Sequence, residues 1–260
     1  MAVALFVPGD RPERFEKAVT SAAGVAILDL EDAVAPDRKA VARDAVRVAM
    51  LGGLRACVRI NVAVSEAGIA DLAMLSAHPP QSVMLPKVSG PRDLDIVRQR
   101  LPEVDIIALV ESIDGMRRIE EIAAAPGVTA LAFGGYDLCA ELGARPTAEV
   151  LAPWRSRTVF AARIAGIDAI DMPYVQLDDD AGLSEDARRA VDFGFDGKLA
   201  IHPKQVALIA AAFTPSPAEV ERARAIVAAA SGGGVVKLDG VMIDAPLVAA
   251  AGRVLSRARP

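Results

Sequence analysis

The stretch "VAILDLED", residues 25–32, joins an apolar run to three carboxylates. A run that is apolar at consecutive positions predicts a strand covered on both faces, as in a parallel sheet. Carboxylates at the end of such a strand repel one another and resist removal from water. Asp29, Glu31 and Asp32 therefore need a role, and the alternatives are a metal site, proton transfer, a helix cap or solubility.

Similar runs recur along the chain, and a segment of helical character follows each of them. Strands that alternate with helices indicate βαβ units, and eight such units predict an α/β fold, a (β/α)8 TIM barrel. An open doubly wound sheet has the same alternation, so the pattern alone leaves closure of the barrel open. The predicted strands are "VALFVPG" (3–9), "VAILDLED" (25–32), "ACVRIN" (56–61), "SVMLPK" (82–87), "DIIALVES" (105–112), "TALAFGG" (129–135), "IDAIDM" (167–172) and "GKLAIHP" (197–203).

The C-terminal segment departs from this alternation. We predict a catalytic barrel over 1–213 and an extension over 214–260. Ser216 and Glu219 form a predicted capping box, Asp239-Gly240 predicts a hairpin turn, and a last helix is expected near Pro246. This helix–hairpin–helix extension is too small for a core of its own, so we expect it to pack on the barrel or on a neighbouring subunit.

Composition argues against several classes of protein. The 260 residues carry a net charge of -5 and are 53% hydrophobic, which disfavours a nucleic-acid surface and a disordered chain. The two cysteines lack metal or redox spacing, which favours a reducing compartment. No signal-like segment or membrane-length apolar run is visible. We therefore expect a cytoplasmic protein without nucleic-acid or membrane partners.

Polar residues follow the predicted strands, at the barrel end where chemistry takes place. Glu111 and Asp137 follow consecutive strands, so their carboxylates can reach one ion, and Mg²⁺ suits such a pair. Zinc fits poorly, because neither His78 nor His202 has a partner at ligand spacing. Alternatively, Glu111 is an acid at a helix N-terminus and Asp137 is a helix N-cap.

Basic residues indicate two further candidate binding sites. Arg59 lies between apolar neighbours, and a buried guanidinium needs an anion. That anion is either Glu31 or Asp32, in a structural ion pair, or a substrate carboxylate held in bidentate fashion. Asp29 alternates with Glu31, so we expect both to point into the barrel, where Arg59 or Lys87 neutralises them. Arg11 and Lys17 lie in "PGDRPERFEKA" (8–18), whose helix start suits a phosphorylated ligand, although Lys17 is also explained as a solvated charge.

Eight motifs together resemble the citrate lyase β-subunit-like (CitE-like) branch of the HpcH/HpaI aldolase superfamily, which includes malyl-CoA, citramalyl-CoA and citryl-CoA lyases. They occur in order from residue 3 to about residue 250, nearly the whole chain. The motifs are "LFVPGDRPERFEKA", "ILDLEDAVAPDRK", "RIN", "VMLPKV", "IIALVES", "LAFGGYDL", "FDGKLAIHPKQV" and "DGVMIDAP".

The resemblance implies a set of site residues. It places Mg²⁺ on Glu111 and Asp137 and a substrate carboxylate on Arg59. It further implies contacts with coenzyme A (CoA) at Phe6, Arg11 and Lys17. His202, at the end of the eighth strand, is a further candidate for binding substrate or CoA. The aspartate of the "MIDAP" motif, Asp244, would act as acid or base in the active site of an adjacent subunit of a homotrimer or hexamer. Independently of the family, Asp244 has a simpler explanation as the start of the last helix.

The implied reaction is the Mg²⁺-dependent cleavage of a 3-hydroxyacyl-CoA thioester into a 2-oxo acid and an acyl-CoA. Glu31 and Asp32 would support this lyase by orienting metal-bound water or Arg59. Three alternatives stay open: a CoA thioesterase, an aldolase acting on 2-oxo acids without CoA, and a citrate lyase subunit that needs an acyl-carrier partner.

Overall fold

The computed structural model describes residues 2–258 and contains a closed barrel of eight parallel strands. Neighbouring strands are consecutive in sequence, and β8 pairs with β1, so the barrel predicted from the strand count is confirmed and the open sheet is excluded. The strands are β1 (Val3–Pro8), β2 (Val25–Asp29), β3 (Cys57–Arg59), β4 (Ser82–Leu85), β5 (Asp105–Val110), β6 (Val128–Phe133), β7 (Asp168–Asp171) and β8 (Gly197–Ala200).

Each strand ends one to three residues before its predicted run does. In the opening stretch, β2 ends at Asp29, whose carboxylate accepts hydrogen bonds from the main-chain N–H groups of Glu31 (2.9 Å) and Ala33 (3.0 Å). The prediction of a strand through residue 32 was therefore wrong at its end. Asp29 instead begins a turn that carries Glu31 and Asp32 across the barrel mouth.

Helices surround the barrel, and the stretches between the strands are mostly helical. They are α1 (Phe15–Val19), α2 (Lys39–Leu51), α3 (Glu66–Ala77), α4 (Pro91–Arg100), α5 (Ile113–Arg117), α6 (Ile119–Ala123), α7 (Gly135–Leu142), α8 (Ala148–Ala165), α9 (Asp180–Phe193) and α10 (Pro203–Phe213).

The barrel interior is filled with apolar side chains, as the doubly apolar runs predict. With a packed interior, open space for a ligand is left at the strand ends. The interior side chains are Ala4, Ile27, Cys57, Met84, Ile107, Leu109, Ala130, Ala132, Ile170 and Leu199, with Phe6 partly buried against them.

A buried ion cluster ties the last two strands to α8 and α9. Arg155 and Lys198 both contact the carboxylate of Asp171, at 2.9 and 2.6 Å. Both also contact Asp186, again at 2.9 and 2.6 Å. Asp171 and Lys198 are fully buried, so each charge depends on its partners for compensation.

We therefore expect Asp171→Ala to lower the free energy of unfolding by about 3–5 kcal/mol, because it leaves two buried cations with a single carboxylate. Urea unfolding followed by circular dichroism measures this change. Asp44→Ala is the matched control: Asp44 pairs with Arg47 on exposed α2, and its loss is expected to cost less than about 1 kcal/mol. Equal effects of the two substitutions would contradict the account of the cluster.

The chain divides into two compact units, with the boundary between Ile209 and Ala210 inside α10. The second unit contains α11 (Pro217–Ala229), β9 (Val236–Leu238), β10 (Val241–Ile243) and α12 (Ala245–Arg257). The structure contains the predicted elements of the extension. The packing of that extension on a neighbouring subunit stays a prediction.

Local sequence explains the elements of this second unit. The capping box predicted at the start of α11 is formed by Ser216 and Glu219. The predicted hairpin pairs β9 with β10 in antiparallel fashion. Asp239 and Gly240 both have positive φ, 48° and 81°, as a two-residue turn of this kind requires.

Over residues 2–258, none of the helices has the length and apolarity needed to cross a bilayer.

Candidate active site

Arg59, the last residue of β3, is held at the barrel mouth by Asp29 on the neighbouring strand. The two residues pair in register, and Nε and Nη2 of Arg59 donate to the two carboxylate oxygens at 2.7 and 2.6 Å. Glu31 or Asp32 was predicted as the partner of Arg59 in an ion pair, and Asp29 as a further carboxylate that Arg59 or Lys87 neutralises. Of these, Glu31 is close, with Oε2 at 3.1 Å from Nη1, but the bidentate partner is Asp29. Asp32 pairs with a lysine instead.

Asp29 therefore binds one edge of the guanidinium group, and Glu31 lies beside Nη1 at its other end. The ring of Phe6 lies under it, 4.5 Å from Cζ to the ring centroid. Burial by itself would lower the pKa of Arg59, but the hydrogen bond and charge of Asp29, with Glu31, raise it above the ordinary value. Arg59 is thus a cation that stays charged and is fixed in position at the barrel mouth.

Glu31 and Asp32 are adjacent in sequence but have different surroundings. Glu31 is buried, and its Oε1 accepts a hydrogen bond from Nζ of Lys87 at 2.6 Å. Its Oε2 has no hydrogen-bond partner among the described residues. Burial raises the pKa of Glu31, although Arg59 and Lys87 act in the opposite direction. The side chain of Asp32 is 61% exposed and lies 3.7 Å from Nζ of Lys87.

Glu111 and Asp137 line one cavity of about 80 Å³ with Arg59. Glu111 directly follows β5, and Ser112 is the N-cap of the next helix, so the alternative of a helix-end acid for Glu111 is not what the structure shows. Asp137 lies in the first turn of α7, whose N-cap is Gly134, so it is not the N-cap either. The cavity is lined by Phe6, Arg59, Leu109, Glu111, Phe133, Gly134, Gly135, Tyr136, Asp137, Pro173 and Leu199.

The surroundings of Glu111 suit a divalent cation. Burial and the nearby charge of Asp137 raise the pKa of Glu111 to about 8, although the main-chain N–H of Lys87 donates to its Oε1 at 2.9 Å. Gly134 leaves room for this carboxylate, because a Cβ there would lie 2.5 Å from Oε2 of Glu111. A buried carboxylate whose charge is destabilised by burial and by a neighbouring carboxylate is relieved by a cation.

The side chains available as ligands indicate which type of metal the site would bind. Between residues 2 and 258, no group of three or more His, Cys, Asp or Glu side chains is placed to hold an ion. Mg²⁺ is commonly bound by one or two carboxylates, with water and substrate oxygens completing its octahedron. Zinc would need three or four protein ligands. Glu111 and Asp137 therefore fit Mg²⁺.

The raised pKa of Glu111 makes Mg²⁺ binding depend on pH. Without metal, the folded protein favours the protonated carboxyl, so the stability that this group contributes is present below pH 4.5 and is lost as pH rises through about 8. A metal must displace that proton at lower pH. We expect Mg²⁺ to bind about a hundredfold more weakly at pH 6 than at pH 9.

Thermal unfolding at a series of Mg²⁺ concentrations measures this dependence. Glu111→Gln is the control, because it carries no charge at either pH and should abolish the Mg²⁺-dependent rise in Tm at both. An Mg²⁺-dependent rise that is the same at pH 6 and pH 9 would contradict the assignment.

A second cavity, a groove of about 360 Å³, lies beside β1, α1 and the start of α10. It contains two of the residues implied as CoA contacts, Phe6 and Lys17, together with His202. Phe6 also lines the smaller cavity, so one side chain borders both. The groove is lined by Leu5, Phe6, Val7, Pro8, Arg14, Lys17, Ala18, Ser21, Ile201, His202 and Pro203.

The basic residues at this groove differ in part from those predicted. Arg14 lines the groove and was missed, whereas Arg11 does not line it and has its side chain 55% exposed, 3.9 Å from Asp10. Arg11 precedes a 3₁₀ turn over Pro12–Arg14. That turn rotates the side chains of the segment, and the order of residues in the sequence does not reveal it.

Two predicted residues make only local contacts. Nδ1 of His202 accepts a hydrogen bond from the N–H of Lys204 at 3.2 Å. Asp244 is the N-cap of α12, and its Oδ1 accepts from the N–H of Leu247 at 3.4 Å. The structure thus shows Asp244 in the simpler role, and its catalytic role stays a prediction.

Comparison with known proteins gives matches over the whole chain. The model of the family "HpcH/HpaI aldolase/citrate lyase" matches residues 2–203, and the model of a C–C bond lyase of the TIM-barrel fold matches residues 157–260. A (3S)-malyl-CoA thioesterase of Cereibacter sphaeroides is 35% identical, over 98% of this chain and 93% of that protein. An L-malyl-CoA/β-methylmalyl-CoA lyase of the same species is 36% identical, over 92% of this chain and 89% of that protein.

A solved structure is similar throughout. It is the CitE protein of Mycobacterium tuberculosis in complex with magnesium, acetoacetate and coenzyme A. The two chains are 37% identical, and the match covers 99% of this chain and 97% of the other with a TM-score of 0.90.

Proposed function

Because the chain belongs to the HpcH/HpaI aldolase/citrate lyase family, we propose that it is a Mg²⁺-dependent lyase that cleaves a carbon–carbon bond in a 3-hydroxyacyl-CoA thioester. The substrate class is the malyl-, citramalyl- or citryl-CoA type. The membership confirms the family predicted from the motifs, which is a family of carbon–carbon lyases. The observation that carries the proposal is one cavity lined by Arg59, Glu111 and Asp137.

We assign Glu111 and Asp137 as the ligands of Mg²⁺. The M. tuberculosis CitE structure contains magnesium, which agrees with the cofactor predicted for this chain. When bound, the ion supplies a Lewis acid that lowers the pKa of the substrate hydroxyl and stabilises negative charge on oxygen.

Arg59 binds the carboxylate of the 2-oxo acid portion through its terminal Nη groups. Asp29 engages the Nε edge and Phe6 supports the face of the guanidinium, so the cation is fixed before substrate arrives. Such preorganisation limits the entropy lost when the substrate binds. Arg59 therefore fixes the position of the bond to be broken relative to Glu111 and Asp137.

The groove beside β1 provides a surface for CoA. Arg14, Lys17 and His202 line it together with apolar side chains, a combination that suits phosphates and a pantetheine chain. Phe6 borders both cavities, so a thioester could extend from the groove to the metal site. Arg11 stays a candidate for the exposed phosphates.

The proton transfers fall to two carboxylates. Glu31 takes the hydroxyl proton of the substrate, since its Oε2 accepts no hydrogen bond from residues 2–258 and lies 3.1 Å from Nη1 of Arg59. The C–C bond then breaks, one fragment leaves as the 2-oxo acid, and the electron pair passes to the thioester enolate. Asp244 of an adjacent subunit in a trimer or hexamer protonates the enolate carbon to give the acyl-CoA.

Thioesterase activity is the second candidate, because a relative 35% identical over nearly the whole chain bears that name. The test incubates pure protein and Mg²⁺ with (S)-malyl-, citramalyl- and citryl-CoA and follows the 2-oxo acid and free CoA separately. Release of oxo acid from one of the three supports the lyase and identifies the substrate. Free CoA without oxo acid would instead establish the thioesterase, and turnover only with an added acyl-carrier protein would indicate a complex subunit.

A further inference from the structure

Lys87 has an unusual backbone conformation at the barrel mouth. It lies two residues after the end of β4, and its φ is 54°. Apart from glycines, Asp239 in the hairpin turn is the only other residue with positive φ in the part of the chain that the structure describes. This left-handed conformation is unfavourable for a residue with a Cβ, because the Cβ crowds the following carbonyl oxygen. Strained backbone of this kind persists where the surroundings fix it, often at functional sites.

The conformation lets one residue contact two different carboxylates. The main-chain N–H of Lys87 donates to Oε1 of Glu111 at 2.9 Å. Its side-chain Nζ donates to Oε1 of Glu31 at 2.6 Å. Glu31 follows β2 and Glu111 follows β5, so Lys87 connects acidic groups from opposite sides of its own strand.

We propose that Lys87 is a positioning residue: its main-chain N–H orients the metal-binding carboxylate of Glu111, and its ammonium group holds Oε1 of Glu31, so that only Oε2 of Glu31 reaches Arg59. This inference rests on the proposed function, which assigns the metal to Glu111 and the hydroxyl proton to Glu31.

The main-chain contact determines how Glu111 faces the ion. One of its oxygens is occupied by the N–H of Lys87, which leaves Oε2 available. Gly134 is close to Oε2 and leaves it the space it needs, since an added Cβ would lie 2.5 Å away. A shift of the Lys87 backbone would allow the carboxylate to rotate and would weaken Mg²⁺ binding.

The side-chain contact determines where Glu31 lies. Among the described residues, the carboxylate of Glu31 has two cationic neighbours, Lys87 at Oε1 and Arg59 at Oε2. Without the ammonium group, Arg59 would be the remaining cation beside that carboxylate, and the freed Oε1 would turn toward the terminal Nη groups, which Oε2 already contacts at 3.1 Å. Glu31 would then compete with the substrate carboxylate for Arg59, and it would also be displaced as a proton acceptor.

Substitutions at Lys87 separate the two contacts. Lys87→Met removes the ammonium group, and Lys87→Gly does the same while accepting the left-handed backbone without strain. Lys87→Val also removes it, but a β-branched residue disfavours positive φ and displaces the N–H. Lys87→Arg restores a cation. Arg47→Met is the matched control, because Arg47 pairs with Asp44 on the exposed surface of α2.

The measurements are Mg²⁺ affinity by calorimetry, KM and kcat with the thioester that the wild type cleaves, and thermal unfolding to verify folding. We expect Lys87→Met and Lys87→Gly to bind Mg²⁺ within about threefold of wild type but to show a rise in KM and a fall in kcat/KM of at least about tenfold. Lys87→Arg should recover most of this loss. Lys87→Val should in addition weaken Mg²⁺ binding by about tenfold or more.

Wild-type values of KM and kcat in Lys87→Met and Lys87→Gly would overturn the side-chain role, and wild-type Mg²⁺ affinity in Lys87→Val would overturn the main-chain role. Either result would overturn only the role of Lys87. The proposed function would still hold, provided that the wild type binds Mg²⁺ and releases the 2-oxo acid. Failure of the wild type itself to do so would overturn the proposed function, and this inference with it.

Discussion

Glu111→Gln and Asp137→Asn are each expected to abolish Mg²⁺ binding and to lower kcat by about a thousandfold or more. Both carboxylates line the cavity beside Arg59, and each supplies half of the protein's charge toward the ion. A bound divalent ion contributes several kcal/mol of transition-state stabilisation, and each 1.36 kcal/mol corresponds to a factor of ten in rate. Steady-state kinetics with saturating Mg²⁺ and calorimetric titration of the metal measure the two effects.

Asp114→Asn is the matched control for these substitutions. Asp114 lies in α5, close in sequence to Glu111, but its side chain is exposed and paired with Arg117 at 3.0 Å. It should bind Mg²⁺ and turn over substrate like the wild type. Full Mg²⁺-dependent activity in Glu111→Gln would refute the metal assignment.

Arg59→Ala is expected to affect both stability and catalysis. It leaves the fully buried Asp29 without its bidentate partner, which predicts a loss of about 3–5 kcal/mol in the free energy of unfolding. It also removes the cation that holds the substrate carboxylate, so kcat/KM should fall by at least about a thousandfold.

The double variant Asp29→Ala/Arg59→Ala separates these two effects. Removing both charges relieves the uncompensated burial of Asp29, so a substantial part of the lost stability should return, as urea unfolding would show. Activity should not return, because the cation is still missing. If the double variant recovered activity along with stability, the role of Arg59 would be structural alone.

The fold was largely predictable because its information is local. Runs that are apolar at consecutive positions, such as residues 25–28 and 106–110, identify strands buried on both faces, and their alternation with helical segments indicates βαβ units. Closure of the barrel depends on the pairing of β8 with β1, the most distant strands in sequence. No local pattern contains that contact.

Part of the site was predictable, because the order of the strands determines which residues at their ends lie close together. Glu111 and Asp137 follow consecutive strands, so their shared cavity follows from topology. The alternation of Asp29 and Glu31 predicted that Arg59 or Lys87 neutralises both carboxylates, but the choice of Asp29 as the bidentate partner of Arg59 was hidden, because it depends on the pairing register of β2 and β3. The left-handed conformation of Lys87 was equally hidden, since lysine carries no preference for it.

The carboxylates of Asp29, Glu31 and Asp32 show what the sequence predicts and what only the structure reveals. Their need for partners follows from electrostatics, and the structure gives each a different one. Asp29 holds Arg59 and the turn after β2, Glu31 contacts Arg59 and Lys87, and Asp32 lies at the surface near Lys87. The cluster therefore arranges cations around the metal site and does not itself supply the proposed ligands.

The most direct test of the central claim measures the products of (S)-malyl-CoA, or of the thioester that the wild type prefers, before and after removal of Mg²⁺. We predict 2-oxo acid and the shortened acyl-CoA in equal amounts, loss of both after treatment with a chelator, and recovery on readdition of Mg²⁺. Cleavage that continues undiminished without a divalent metal, or release of free CoA with no oxo acid, would contradict the account.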